Sequence, residues 1–201
     1  MKLSLQYLQR AIEMDKKDIH ELTKNVTQTL VEQIDHLSQI AADFSQFANI
    51  DNPRNEVFDL NETIQSLIQL HSVEGNIDIS WKPSGSKVYI TADRTHINRL
   101  FTNLIQNAQQ SIPDGRKAKI IVAEELIENK VVITLQDNGA GIPAEIRSKI
   151  FTPNFTTKNS GTGLGLAMCR GIVEECKGTI WFETSMDQGS TFFVTLPLTL
   201  I

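Results

Sequence analysis

At 201 residues and 40% hydrophobic content, the chain can bury one substantial core with a smaller element attached. Nineteen basic residues stand against 24 acidic ones, a net charge of -5, and no stretch is rich in Lys and Arg, which argues against a nucleic-acid partner. No run approaches the roughly 18 apolar residues of a membrane span, no secretory pattern follows Met1, and Cys169 and Cys176 lack a CxxC pair or clustered His, so they read as buried reduced thiols in a cytosolic setting.

In chain order, Leu3 to Ile12 reads as a helix and Asp15-Lys16-Lys17-Asp18 as a polar turn. Val26, Leu30, Ile34, Leu37, Ala41 and Phe44 then recur at steps of three and four, drawing an apolar stripe along one face of a second helix. The arm is predicted to fold back as a helical hairpin whose stripe suits a dimeric four-helix bundle. The Asn/Asp/Pro-rich segment Asn49 to Asn55 marks the boundary, giving a helical segment over 1–50 and a second domain over 51–201.

In that second domain a short helix is predicted around Asn61 to His71, followed by strands at Ile77 to Lys82 and Lys87 to Thr91. His96 to Ile112 places Ile97, Leu100, Phe101, Leu104, Ile105, Ala108 and Ile112 on one face of a core helix, broken by Pro113, Asp114 and Gly115. Lys119 to Glu124 and Val131 to Gln136 read as a strand pair, Gly163 to Cys176 as a helix, and Thr179 to Glu183 and Ser190 to Pro197 as closing strands. Helices and strands alternate, so the domain mixes both types.

Four segments carry chemistry. Asn103 and Asn107 lie one turn apart on the core helix, away from its apolar side, and a hard cation accepts a neutral amide oxygen alongside phosphate oxygens. Two such amides also suit a plain solvated face. Asp137-Asn138-Gly139-Ala140-Gly141-Ile142-Pro143 follows a strand and sets a carboxylate acceptor beside glycines that allow close approach of backbone to a ligand. An exocyclic amino group such as that of adenine is a natural donor to this acceptor, although the segment also fits a simple strand-to-helix turn. Phe151, Phe155, Thr156, Thr157 and Lys158 read as a loop with aromatic anchors and a cation, either a phosphate lid or a loop pinned by two core rings. Gly161-Thr162-Gly163-Leu164-Gly165-Leu166 opens a helix whose exposed amides can cradle phosphate, though neither a Walker loop nor a dinucleotide fingerprint is present.

The Asn box, DNGAGI, FTPNFTTK and GTGLGL, in that order and spacing, resemble the ATP-binding domain of sensor histidine kinases from about Phe58 to Leu198, and Gly189 to Pro197 resembles that family's closing strand. The resemblance implies an α+β fold: a two-layer α/β sandwich of the Bergerat type, shared by the gyrase, chaperone, mismatch-repair and histidine-kinase superfamily. Here it follows an α-helical hairpin. It implies ATP or ADP with Mg²⁺, and by its motifs Asn107 would ligate the metal and Asp137 would meet the adenine amino group. Gly139, Gly141 and Ile142 would line the base pocket, Thr157 and Lys158 would stand in the lid, Gly161 through Leu166 would form the phosphate turn, and Thr191 would support the adenine. Asn103, Gln110 and Ser111 join the nucleotide-binding set, with a departure at Gln110 and Ser111, where many members carry Lys or Arg and then Tyr. The NAxxAI-like pattern there is similar to the nitrogen-regulation type of sensor kinase.

Hydrolases of the superfamily carry a glutamate where this chain has Asn103, and an amide cannot serve as general base, so a kinase is expected over a hydrolytic ATPase; the intact metal, adenine and phosphate positions argue against a nucleotide-binding adaptor, and the helical arm against a serine kinase. The family's phosphoacceptor motif is His-Glu, two further positions, then Asn or Thr and Pro. His20 in His20-Glu21-Leu22-Thr23-Lys24-Asn25-Val26 departs from it by an inserted position and a missing proline. The opening Met1 to Ala11 resembles the stretch just after that motif on the family's first helix. The acceptor is therefore expected before Met1, with His20 a surface residue, and autophosphorylation by this chain alone is not expected. His36, His71 and His96 have no neighbouring motif. The resemblance further implies a response-regulator partner, a homodimer through the arm that truncation weakens, a cytoplasmic location, and membrane attachment only through upstream segments.

Overall fold

The computed structural model describes residues 19–48, 53–74, 77–158 and 161–200, together with Gln6 and Gln9. The chain divides into two compact units, Met1–Gln46 and Phe47–Ile201. Gln6 and Gln9 are helical; the rest of the predicted first helix, its polar turn and Asn49 to Asn52 of the boundary segment lie outside the described residues.

The first unit is represented by helix α1 (Ile19–Ala48). Its three-four spacing produces the predicted stripe, of which Val26 is buried and Leu30 partly so, while Ile34, Leu37 and Phe44 are exposed by half or more. His20 is exposed in the first turn of this helix.

The second unit is built from β1 (Glu56–Asp59), α2 (Leu60–Glu74), β2 (Asp78–Lys82), β3 (Tyr89–Ala92), α3 (Arg94–Gln110), β4 (Lys119–Ile127), β5 (Lys130–Asp137), a short 3-10 helix (Ala144–Lys149), α4 (Gly165–Glu175), β6 (Thr179–Ser185) and β7 (Gly189–Pro197). A five-stranded sheet runs in the order β2-β4-β5-β7-β6, parallel between β2 and β4 and antiparallel elsewhere, while β1 and β3 form a separate antiparallel pair. Strand alternation turns Ile120, Val122, Val131, Ile133, Leu135, Phe192, Val194 and Leu196 to one face. Leu100, Phe101, Leu104, Ile105 and Ala108 of α3 and Cys169, Ile172 and Val173 of α4 join them in one core. The result is the expected α+β sandwich, one layer of sheet and one of helices. On the opposite face Trp181 stacks flat on Phe193, with ring centroids 5.0 Å apart.

At two elements the difference from expectation has an identifiable cause. Helix α3 starts at Arg94 because Asp93 caps it: Oδ1 accepts from the amides of Thr95 and His96, and Oδ2 accepts from the Arg54 amide. Strand β1 has four residues, too few for an alternating pattern to register, and is held by pairing with β3. Both cysteines are free thiols; Cys169 is buried, as expected, and Cys176 is partly exposed.

Candidate functional site

Helix α3 is the spine of the site. Asn103, Asn107 and Gln110 fall on one side of it, away from Ile105, and Ser111 caps its C-terminus. The Asn103 amide lies 3.8 Å from Met168 Sδ, with its Oδ1 beside Gly165 at the start of α4. Lys158 Nζ donates to Asn107 Oδ1 at 3.1 Å and to Gln110 Oε1 at 2.6 Å. The Ser111 hydroxyl reaches Ala108 O at 2.7 Å and Asp137 Oδ1 at 3.3 Å.

Asp137, at the end of β5, is buried with its two oxygens in unequal positions. Oδ1 accepts from Gly139 N at 2.8 Å, Ser190 N at 3.1 Å and the Ser111 hydroxyl, whereas no described group donates to Oδ2. Burial raises the pKa of this carboxyl, and the donors from Gly139, Ser190 and Ser111 only partly counter it. Gly139 is required by contact, since a Cβ there would overlap the Ser111 side chain. Gly141 takes φ +79 and carries the chain past the Ser185 carbonyl. Beyond it, the Ile142 amide donates to Thr184 Oγ1 at 2.9 Å, and Thr184 shares a hydrogen bond with Ser190.

This loop has a clamp that the sequence did not announce. Arg116 Nη1 donates to Asn138 O at 2.7 Å, Gly139 O at 3.0 Å and, longer, Asp187 O at 3.5 Å. The Asn138 side chain bonds Lys119 N and Lys117 O, and Ala140 N donates to Ser111 O. An exposed Arg after a helix-breaking turn carries no motif, so only the backbone geometry reveals this role.

Thr191 does not reach this pocket. It pairs with Gln136 and lies between Ser190 and Phe192, both buried, so strand alternation sends its side chain to the opposite sheet face. Ser190 and Thr184 are the residues that β7 and β6 present beside Asp137.

Phe151 packs against Phe182 and Phe192 at 6.1 and 6.5 Å between centroids, and Phe155 rests on the core, so aromatic anchors fix both ends of the segment before the lid cation. Thr156 Oγ1 accepts from Lys158 N at 3.0 Å, while Thr157 is exposed and no described group bonds its hydroxyl. Lys158 is half-buried, and burial lowers its ammonium pKa. Asn159 and Ser160 lie outside the described residues. Gly161 passes close to Thr156, and Gly163 has φ +69 with the Asn154 and Phe155 backbone where a Cβ would project. The Leu164 amide lies 3.4 Å from Thr162 Oγ1, and α4 begins with no side-chain cap, which leaves the first-turn amides from Gly165 and Leu166 onward suited to an anion.

The donor set suits a hard divalent cation bound mainly through a ligand's phosphates. Among the described residues no three His, Cys, Asp or Glu side chains converge on a metal cage, whereas Asn107 Oδ1 already faces a cation, the Lys158 ammonium.

Residues 92–200, more than half of the chain, match the family described as histidine kinase-, DNA gyrase B- and HSP90-like ATPase. A solved catalytic domain of the histidine kinase ThkA is 36% identical, with a TM-score of 0.65, covering 72% of this chain and 95% of that one. The chain belongs to this family. Its second unit carries a sensor-histidine-kinase ATP-binding domain, of the kind found in two-component signalling. ThkA solved in complex with response regulator protein TrrA matches more of it, 98% of this chain and 57% of that one, at a TM-score of 0.75 and 28% identity. Among curated relatives, the sensor histidine kinase ZraS of Escherichia coli is 33% identical over 87% of this chain and 38% of its own length. Sporulation kinase A of Bacillus subtilis is 32% identical over 80% and 27% respectively. The chain thus spans well under half the length of these relatives. No helix among the described residues is long and apolar enough to cross a membrane.

Proposed function

We propose that the chain binds Mg²⁺·ATP and donates its γ-phosphoryl group to a histidine, from which an aspartate of a response regulator receives it. The observation that carries this reading is the convergence on one face of α3 of an open carboxylate oxygen at Asp137, an amide oxygen and an ammonium at Asn107 and Lys158, and the uncapped start of α4 beside Asn103.

Asp137 Oδ2 accepts from the adenine amino group, its geometry set by three donors on Oδ1, while Gly139, Gly141 and Ile142 line the base. The amides of Gly161 through Leu166, with Thr162 among them, meet the phosphates, helped by the positive end of α4. Asn107 holds Mg²⁺, which when bound offsets phosphate charge; Asn103, Gln110, Ser111 and Lys158 shape the surroundings. Thr157 stands in the lid. The acceptor imidazole attacks the γ-phosphorus, the bond to the ADP oxygen breaks, and ADP leaves with those electrons. Asn103 offers no general base to water, which favours this transfer over hydrolysis.

The acceptor lies outside the four histidines of this chain. His71 and His96 are buried, and neither His36 nor the exposed His20 stands in the acceptor motif. By analogy with the ThkA complex, a receiver domain is the onward partner, and the exposed stripe on α1 supports a homodimer. The working location is cytoplasmic.

Incubation with γ-labelled ATP and Mg²⁺, alone and with a histidine-bearing helical hairpin added, tests the reading. Acid-labile label confined to the added histidine is the expected result. Label on His20 would move the acceptor into α1, and fast ATP turnover without any acceptor would replace a kinase with a hydrolase.

A further inference from the structure

The Lys158 side chain occupies the oxygen that the reading above gives to the metal. Its ammonium donates to Asn107 Oδ1 and to Gln110 Oε1, two acceptors a turn apart on α3. Its backbone is pinned on both sides: Lys158 N donates to Thr156 Oγ1, and Gly161 N donates to Lys158 O at 3.3 Å. The amide oxygen of Asn107 is also the one protein ligand assigned to Mg²⁺ above. An ammonium held at 3.1 Å and a divalent ion at its bonding distance of about 2.1 Å would repel each other, so the two compete for this oxygen.

We infer that Lys158 is a tethered stand-in for the metal: it occupies the Asn107 oxygen in the nucleotide-free protein and exchanges with Mg²⁺ when the metal nucleotide arrives. This inference rests on the nucleotide reading given above. Gln110 gives the exchange its second half, because a residue at this helix position with its own positive charge would expel Lys158, whereas an amide oxygen receives it. Metal-free ADP therefore finds a cation already in place at the phosphates, and Mg²⁺ must displace that cation to bind. The lid segment is released from α3 only in the metal-bound state, so metal occupancy and lid position become one coupled event.

Calorimetric binding of ADP to the whole chain, with and without Mg²⁺, separates this from a simple charge effect. In wild type the gain in affinity from Mg²⁺ is reduced by the cost of freeing Lys158. In Lys158→Met that cost is absent, so Mg²⁺-ADP binds more tightly than in wild type while metal-free ADP, deprived of the cation, binds more weakly, and the ratio of the two dissociation constants rises about tenfold, given the strength of charge-assisted hydrogen bonds. A variant that weakens both states equally would show Lys158 to be only a general attractor of phosphate, and would overturn the exchange. A nucleotide-free readout stands beside it: trypsin cleavage after Lys158 should be slow in wild type and several-fold faster in Gln110→Ala, and equal rates would also overturn it. If wild type binds no ADP under either condition, the nucleotide reading itself fails, a result distinct from both.

Discussion

Burial raises the Asp137 pKa even with three donors on Oδ1, so the folded protein holds its proton more tightly than the unfolded chain does. Its contribution to stability is therefore present below the unfolded value and is lost as pH rises through the raised one, leaving an ionised carboxylate that weakens the fold at neutral pH. Asp137→Asn keeps an oxygen for the three donors but points an amino group at the ligand. It should therefore raise the thermal midpoint at pH 7 while lowering ADP affinity by about ten- to a hundredfold, as loss of a hydrogen bond to a charged group implies. Scanning calorimetry and a binding titration on one sample check both. In wild type, ADP affinity should begin to fall on acidification at a higher pH than an ordinary aspartate would set. Arg116 acts on the same loop from outside the pocket, through the carbonyls of Asn138 and Gly139. Arg116→Ala should weaken ADP by about three- to tenfold, equivalent to one or two ordinary hydrogen bonds, and leave inorganic triphosphate binding unchanged. Equal losses for both ligands would show that the clamp does not act on the base.

Helix α3 shows why some of the molecule is legible in sequence and some is not. Its apolar positions fix the buried face, and the four-residue step from Asn103 to Asn107 fixes the ligand face, because helical periodicity is a local property. Its start lies two residues before the predicted one: the cap at Asp93 is a local signal, but its second oxygen bonds Arg54, 39 positions away. Thr191 departs from expectation because a motif gives position along a strand but not phase; only the register with Gln136 shows which face it takes. Arg116, Thr184 and Ser190 escape a sequence reading because their partners are backbone groups and hydroxyls brought close by tertiary folding. The Asp93 cap yields an element-level prediction. Burial pushes its pKa up, but the amides of Arg54, His96 and Thr95 outweigh that and hold it below the usual carboxylate range. Its stabilisation is thus present above the unfolded pKa and lost as pH falls through the lowered one. Asp93→Ala should cost about 1–2 kcal/mol at pH 7, whereas Asp93→Asn should keep most of the cap and flatten the acid limb of the melting curve. Thermal melts from pH 2 to 7 would show it.

At the scale of the molecule, the second unit joins two kinds of strand pairing. Strands β4, β5, β7 and β6 form an antiparallel run, while β2 is attached at the edge by a parallel pairing with β4 that spans β3 and the whole of α3. A parallel ladder is slightly weaker per residue, and this one cannot close until the intervening chain has been gathered in. Strand β2 is short, and only Ile79 and Trp81 pack on the core from it, each partly buried. The sheet should therefore loosen from one side. In deuterium exchange at neutral pH, the hydrogen-bonded amides of Asp78 to Lys82 should exchange through local opening well before those of Val131 to Leu135, which are flanked by a strand on each side. Asp137 belongs to that slow central strand, so the base-recognising carboxylate sits in the part of the sheet that opens last, and fraying at the far edge leaves it in register.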